Sequence, residues 1–221
     1  MPTVVAIYTG QGLAEPLQKV FKEQLPDCRL VNIIDDSLIA DVIREGKVTP
    51  AVARRLVQYY QTGTEIGADV ILNTCSSVSE VVDTAQNLFN VPIIKIDELM
   101  AQEAVSNYQT IGVVATLPTT LEPTVRLLQS QAARLGKQVT IVKGLAEGAY
   151  QALVSGTPEE HDQRILDVAR RLAQEVDVIV LAQGSMARME KTLHDATGKP
   201  VLSSPARGVL AVKSALEAQK V

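Results

Sequence analysis

Few residues in this chain are suited to making or breaking bonds, and the most suggestive is Cys75 in "NTCSS", Asn73–Ser77. It follows an apolar run, "DVIL", and is flanked by the amide of Asn73 and the hydroxyls of Thr74, Ser76 and Ser77. A cysteine so placed can exchange a proton with a substrate carbon or attack an electrophile. A free cysteine more often just packs as a small hydrophobe. The residues after it, "SSVSEVVD", read as a helix start with Ser76 or Ser77 as cap and Glu80 in the first turn. Free N–H groups and the positive dipole end would hold a carboxylate there. They would also favour the Cys75 thiolate and lower its pKa.

The passage is written twice. "DVIVLAQGS", Asp177–Ser185, repeats "DVILNTCSS" at an offset of 108 residues (Asp69 to Asp177), with Gln183 where the first copy has Cys75. Gln183 is neither acid nor base and only donates and accepts hydrogen bonds. Gly184, Ser185 and Met186 follow it. Ser185 has a hydroxyl but no histidine nearby in sequence to activate it; His194 is expected on an exposed helix face. In "ATLPTTLEPT", Thr116 ends a strand and Thr119 or Thr120 begins a helix behind Pro118. These are a second anion-binding candidate, with plain helix capping the equal alternative. Tyr8 and Thr9 end the first strand, and the repeat matches Thr9 to Thr116. Tyr8 could offer its hydroxyl or simply pack. Arg188 could clamp a carboxylate or be a surface charge. Asp35–Ser37 reads at least as well as a helix cap, and Cys28, at a strand entrance, as a packed side chain.

The elements that must hold these residues alternate in type. Short β-branched runs are predicted as strands at 3–8, 29–34, 69–73, 92–96, 110–115, 138–142, 177–182 and 200–203. Amphipathic runs lie between them, such as those from Thr49 and from Pro158, where a proline and two acids make a good helix start. The strands are continuous apolar runs, as parallel strands covered on both faces require. The class is α/β. "TVVAIYT" from Thr3 resembles "TIGVVAT" from Thr110 at an offset of 107, and Pro92 matches Pro200 at 108, so a single-residue loop insertion would explain the drift. Two similar α/β lobes are the simplest reading, with the first formed by 1–100 plus 205–221 and the second by 101–204. Ligands of open α/β sheets bind beyond the carboxyl ends of strands. Both polar endings lie there, and two facing lobes would bring them to one cleft.

Composition removes several functions. Net charge is −4 and no Lys/Arg-rich run appears, which argues against nucleic acid. Aromatics are 3% of residues, too few for a base-stacking platform. Two cysteines and two histidines, His161 and His194, make neither a disulfide framework nor a ready zinc site. No apolar run approaches the roughly 20 residues needed to cross a bilayer. "MPTVVAIYTG" reads as a strand rather than a signal peptide, so a cytoplasmic protein is expected.

The motifs "NTCSS", "IGVVATLPTTLEPT" (Ile111–Thr124), "DVIVLAQGSMA" (Asp177–Ala187) and "KPVLSSP" (Lys199–Pro205) lie in order across most of the chain. With them the chain resembles the aspartate/glutamate/hydantoin racemase superfamily, relatives of which include arylmalonate decarboxylase and maleate isomerase. The resemblance implies two similar lobes, each a mainly parallel sheet flanked by helices, related by pseudo-twofold symmetry with the active site between them. It implies proton transfer next to a carboxylate of a small acid, without metal or organic cofactor; a homo-oligomer is expected. Cys75 matches the cysteine of the first lobe. The second cysteine of the family's racemases would fall at Gln183, so one of two bases is missing. Substrate contacts are expected from Tyr8, Thr9, Asn73, Thr74, Ser76, Ser77, Thr116, Thr119, Thr120, Gln183, Gly184, Ser185 and Met186. One cysteine suits one-sided protonation, as in decarboxylation, or isomerisation through a Cys75 adduct. A true amino-acid or hydantoin racemase with an unidentified second base is the alternative. A small-carboxylate-binding protein without activity is another.

Overall fold

A computed structural model describes residues 1–219. In chain order its elements are β1 (Thr3–Tyr8), α1 (Ala14–Gln24), β2 (Arg29–Ile34), α2 (Ser37–Glu45), α3 (Pro50–Glu65), β3 (Val70–Asn73), α4 (Glu80–Ala85) and β4 (Ile93–Lys95). They continue with α5 (Glu98–Asn107), β5 (Thr110–Ala115), α6 (Pro118–Leu135), β6 (Thr140–Leu145), α7 (Ala149–Val154) and α8 (Pro158–Leu172). The last are β7 (Val178–Leu181), α9 (Glu190–Thr197), β8 (Val201–Leu202) and α10 (Ser204–Ala218). The chain forms two compact units, Met1–Glu98 with the chain from Pro205 onward, and Leu99–Ser204. Each holds a four-stranded parallel sheet, in the order β2-β1-β3-β4 in unit 1 and β6-β5-β7-β8 in unit 2.

The two-residue period of a strand sorts its side chains to opposite faces. In β1, Val5 and Ile7 join Ile71, Leu38, Leu56 and Tyr60 under α2 and α3. Val4, Ala6 and Tyr8 join Val70, Leu72, Leu17, Phe21, Val209 and Val212 under α1 and α10. Unit 2 is built likewise, with Val113 and Val180 beneath α6 and Val114 and Ile179 beneath α8. Both faces of the central strands are covered, which is why they read as unbroken apolar runs.

The repeat is carried into the register. Val4 pairs with Val70 and Ile111 with Val178; Ile71 pairs with Ile93 and Ile179 with Val201. The second strands do not keep that spacing. Thr3 pairs with Arg29 and Thr110 with Thr140, an offset of 111 between Arg29 and Thr140. The drift is therefore not one inserted residue: a longer connection before β6 is nearly offset by a shorter one after it. This also explains why β6 starts later than its sequence pattern suggests. The chain leaves α6 through left-handed Gly136, with the Lys137 N–H donating to the Ala132 carbonyl at 2.9 Å, before it returns to the sheet. Such a C-cap needs positive φ, which glycine adopts without a Cβ clash. The other strands lie within a residue of their sequence-based limits.

The repeated "DVI" has a structural cause. Asp69 Oδ2 accepts the Thr3 N–H at 2.7 Å, and Asp177 Oδ2 accepts the N–H groups of Gln109 and Thr110 at 3.2 and 2.7 Å. Each aspartate ties the entry of one central strand to its neighbour. Asp69 also receives, on its carbonyl, the Gln219 side-chain amide at 3.0 Å.

Candidate active site

In unit 1, Cys75 stands at the carboxyl end of β3, in extended backbone (φ −123°, ψ 117°). The loop is fixed from below. The buried Tyr60 hydroxyl donates to Asn73 Oδ1 at 3.1 Å, and Asn73 Nδ2 donates to the Cys75 carbonyl at 3.1 Å. The Thr74 hydroxyl donates to the Ile7 carbonyl at 2.9 Å, tying the loop to β1. Asn73 and Thr74, expected to contact substrate, thus spend their polar atoms on the loop itself. Tyr60 was not apparent from sequence, where it is one apolar-face residue of α3.

The helix expected behind Cys75 is not a full one. Ser76–Val78 is a 3-10 turn, and α4, from Glu80, has only six residues. Cys75 itself holds the cap position, so neither Ser76 nor Ser77 caps with its side chain. The expected lowering of the Cys75 pKa is overturned. Burial against the α3 side of the core pushes the thiol up, and this outweighs the Thr9 hydroxyl, the Ser77 N–H and hydroxyl and the Val78 N–H, which pull it down. Desolvation penalises the thiolate more than a short turn can repay. The resting group is the thiol. Ser76 and Ser77 are nearly buried beside it, at 5% and 4% exposure.

Tyr8, at the end of β1, packs in the α1–α10 core with its hydroxyl buried and without a partner, and burial raises its pKa. One residue was missed at this sheet edge: Asp97, two positions beyond β4 and 1% exposed. Neither carboxyl oxygen has a partner in hydrogen-bond geometry, and burial pushes its pKa up, against the opposing pull of the Ser76 hydroxyl. The signal was present in "IIKID": an acid just past an apolar strand stands where Cys75 stands after β3.

In unit 2, Gln183 occupies the same position after β7 and also precedes a 3-10 turn, Gly184–Met189. Its Oε1 accepts the Thr116 N–H at 2.9 Å and its Nε2 donates to the Thr116 hydroxyl. Repeat-related residues therefore meet in both units, Thr9 with Cys75 and Thr116 with Gln183. Ser185 is exposed, Gly184 partly so, and Met186 is turned fully into the core. Helix α6 begins at Pro118 with Leu117 as cap, so Thr119 and Thr120 lie in its first turn rather than at its start. Thr119 Oγ1 is buried without a partner, whereas Thr120 is partnered and its carbonyl accepts the Thr124 hydroxyl.

Arg188 is committed elsewhere. Its guanidinium grips Asp162 through both terminal nitrogens, and Asp162 Oδ1 lies 2.7 Å from Nδ1 of the buried His161. This network, split between α8 and the turn, braces the segment after Gln183. Asp35 is similarly engaged: Ser37, Tyr59 and Arg55 all reach it, and it rather than Asp36 holds the start of α2. Cys28 lies before β2, at the opposite sheet end from Cys75, and burial raises its pKa. His194 is exposed on α9. Among the described residues no group of three or more His, Cys, Asp or Glu side chains is arranged to hold a metal. No helix of the described residues is long and apolar enough to cross a membrane.

Solved structures share this fold. Glutamate racemase from Francisella tularensis subsp. tularensis SCHU S4, in complex with D-glutamate, aligns with a TM-score of 0.77 at 16% identity, over 99% of this chain and 82% of that one. Allantoin racemase from Klebsiella pneumoniae aligns with a TM-score of 0.75 at 17% identity, covering 99% and 89%. The Gly74Cys mutant of arylmalonate decarboxylase, in its sulfate-associated form, gives 0.62 at 16%, covering 97% and 93%. No curated protein sequence matches significantly. A family model described as Asp/Glu/Hydantoin racemase matches residues 4–212, a span that includes both strand-end motifs and all but the first residue of the two sheets. The chain belongs to the Asp/Glu/hydantoin racemase family.

Proposed function

We propose that the protein protonates one face of a carbanion next to the carboxylate of a small acid, with Cys75 as the proton donor. The observation that carries this reading is the inequality of two related positions. Thr9 meets a thiol at Cys75; Thr116 meets an amide at Gln183, and that amide has no titratable proton to give. A thiol that burial keeps protonated is suited to act first as an acid, rather than as a base or a nucleophile.

Decarboxylation of a malonate-type acid fits that order of events. The bond from the α-carbon to one carboxylate breaks and carbon dioxide leaves. The electron pair remains on the carbon, delocalised into the other carboxylate as an enolate. The Cys75 S–H then forms the new C–H bond, and the resulting thiolate recovers a proton from water. The product carries its hydrogen on one face.

The test is to supply 2-substituted malonates in deuterium oxide and follow carbon dioxide release and the configuration of the product. One deuterium in one enantiomer is the expected result. Equal α-proton exchange from both enantiomers of an amino acid or hydantoin would sink the reading in favour of two-base racemisation. Carboxylate binding with no turnover of any such acid would favour a binding protein instead.

A further inference from the structure

We propose that Asp97 is a substrate-contacting residue whose carboxyl, in its acid form, donates a hydrogen bond to the carboxylate that remains on the substrate and becomes the enolate. The inference deepens the proposed reaction and rests on it.

Asp97 is weakly held for a buried acid: the Ser76 hydroxyl and its own N–H oppose the upward shift, but burial outweighs them. An aspartate directly before a helix ordinarily caps it with a side-chain oxygen, and Asp97 directly precedes α5. Yet neither of its oxygens accepts a bond from any N–H in acceptable geometry, although the residue is 1% exposed. Buried polar groups are nearly always satisfied, and those that are not call for an explanation. Lys95, the cation close by on β4, does not supply one. Its Nζ is held by Asp83 at 2.6 Å, so it reaches Asp97 only as a nearby charge that opposes the upward shift, while Glu98 adds repulsion. A buried carboxylate short of donors is far costlier than a buried carboxylic acid, so burial shifts Asp97 towards its acid form.

A carboxylic acid differs from a carboxylate in having an O–H to give. The Ser76 hydroxyl beside it belongs to the turn that begins at Cys75, which puts Asp97 and the thiol at the same carboxyl edge of the unit 1 sheet. A substrate carboxylate at that edge would accept the Asp97 O–H as a charge-assisted bond. That bond strengthens as carbon dioxide leaves and negative charge collects on the enolate oxygens, so it favours the transition state over the bound acid. A neutral donor also avoids the repulsion that an ionised aspartate would impose on an anionic substrate.

Two measurements test this. Infrared difference spectra of the full-length protein should contain a protonated-carboxyl C=O band that Asp97→Asn removes, and sodium malonate should shift that band to lower frequency. If Asp97→Asn removes only carboxylate bands, or saturating malonate leaves the acid band unmoved, the proposal is overturned. In turnover, Asp97→Ala should lower kcat by about 100-fold, the usual loss for one oxyanion donor. Asp97→Asn, which retains an N–H donor of similar shape, should recover most of that loss. Wild-type rates in Asp97→Ala would overturn the proposal, as would Asp97→Asn being as impaired as Asp97→Ala when both are folded. The spectroscopic arm needs no turnover and so stands if the proposed reaction is wrong. An inactive Cys75→Ala beside an unaffected Asp97→Ala would retire the role of Asp97 alone.

Discussion

At Cys75 the decisive balance is between burial and a handful of hydrogen bonds, and burial wins. Cys75→Ala should abolish turnover and leave the fold intact, checked by circular dichroism beside the assay. Alkylation of Cys75 by iodoacetamide should rise with a midpoint above the ordinary thiol value near 8.5; a midpoint below it would return the nucleophile reading to first place. Gln183→Cys puts a thiol where Thr116 can approach it as Thr9 approaches Cys75. Whether the Gln183 end serves the same substrate is read directly from this variant, which should erode product enantiomeric purity. Single-enantiomer product from Gln183→Cys would mean that it does not. Sequence placed Cys75, Thr9, Thr116 and Gln183 at strand ends because strand ends are legible from apolar runs. It passed over Tyr60 and Asp97, because the bond Tyr60 makes and the one Asp97 lacks depend on neighbours distant in sequence. It also misjudged the thiol, since a "SSVSE" stretch does not reveal whether a whole helix or a single turn follows.

Among the elements, α10 packs against the residue just before Asp97. A Cβ at Gly208 would lie 2.5 Å from Ile96 Cγ1 and 2.9 Å from the Ile96 carbonyl, so the helix backbone rests directly on the residue before Asp97. Gly208→Ala should destabilise by about 1–3 kcal/mol through overpacking, and in doing so displace Asp97. A thermal melt paired with the malonate infrared shift checks both effects. Helix α10 also closes the α1 side of the core with Val209, Val212 and Leu216. A chain ending at Ser204 should therefore expose that face and bind hydrophobic dyes. The strands were legible to within a residue except β6, where Lys143 and Gly144 interrupt the apolar run and the exit from α6 delays the start.

For the whole molecule, the buried acids set how stability responds to pH. A carboxyl whose folded pKa lies above the unfolded value near 3.9 keeps its proton while the unfolded chain sheds it. The folded state then binds more protons, and stability falls as pH rises from about 4 towards the folded value, by at most about 1.4 kcal/mol per pH unit. Asp97→Asn should flatten this decline and raise Tm at neutral pH. The raised Cys75 and Cys28 thiols and the Tyr8 and Tyr60 phenols act in the same sense at higher pH, so stability should fall again above about 8.5. Denaturant titrations at stepped pH check both limbs.

Asp69 gathers the Thr3 N–H on its carboxylate and the Gln219 amide on its carbonyl. Unit 1 is split in sequence only because unit 2 intervenes between Glu98 and Pro205. A short Gly/Ser bridge from Gln219 to Thr3, with new ends cut between Glu98 and Leu99, gives a circular permutant. Its order would be unit 2 and then unit 1, each now uninterrupted, with every strand pairing retained. On this reading the split is a matter of where the ring was opened, and the two halves become separately clonable pieces of a tandem gene.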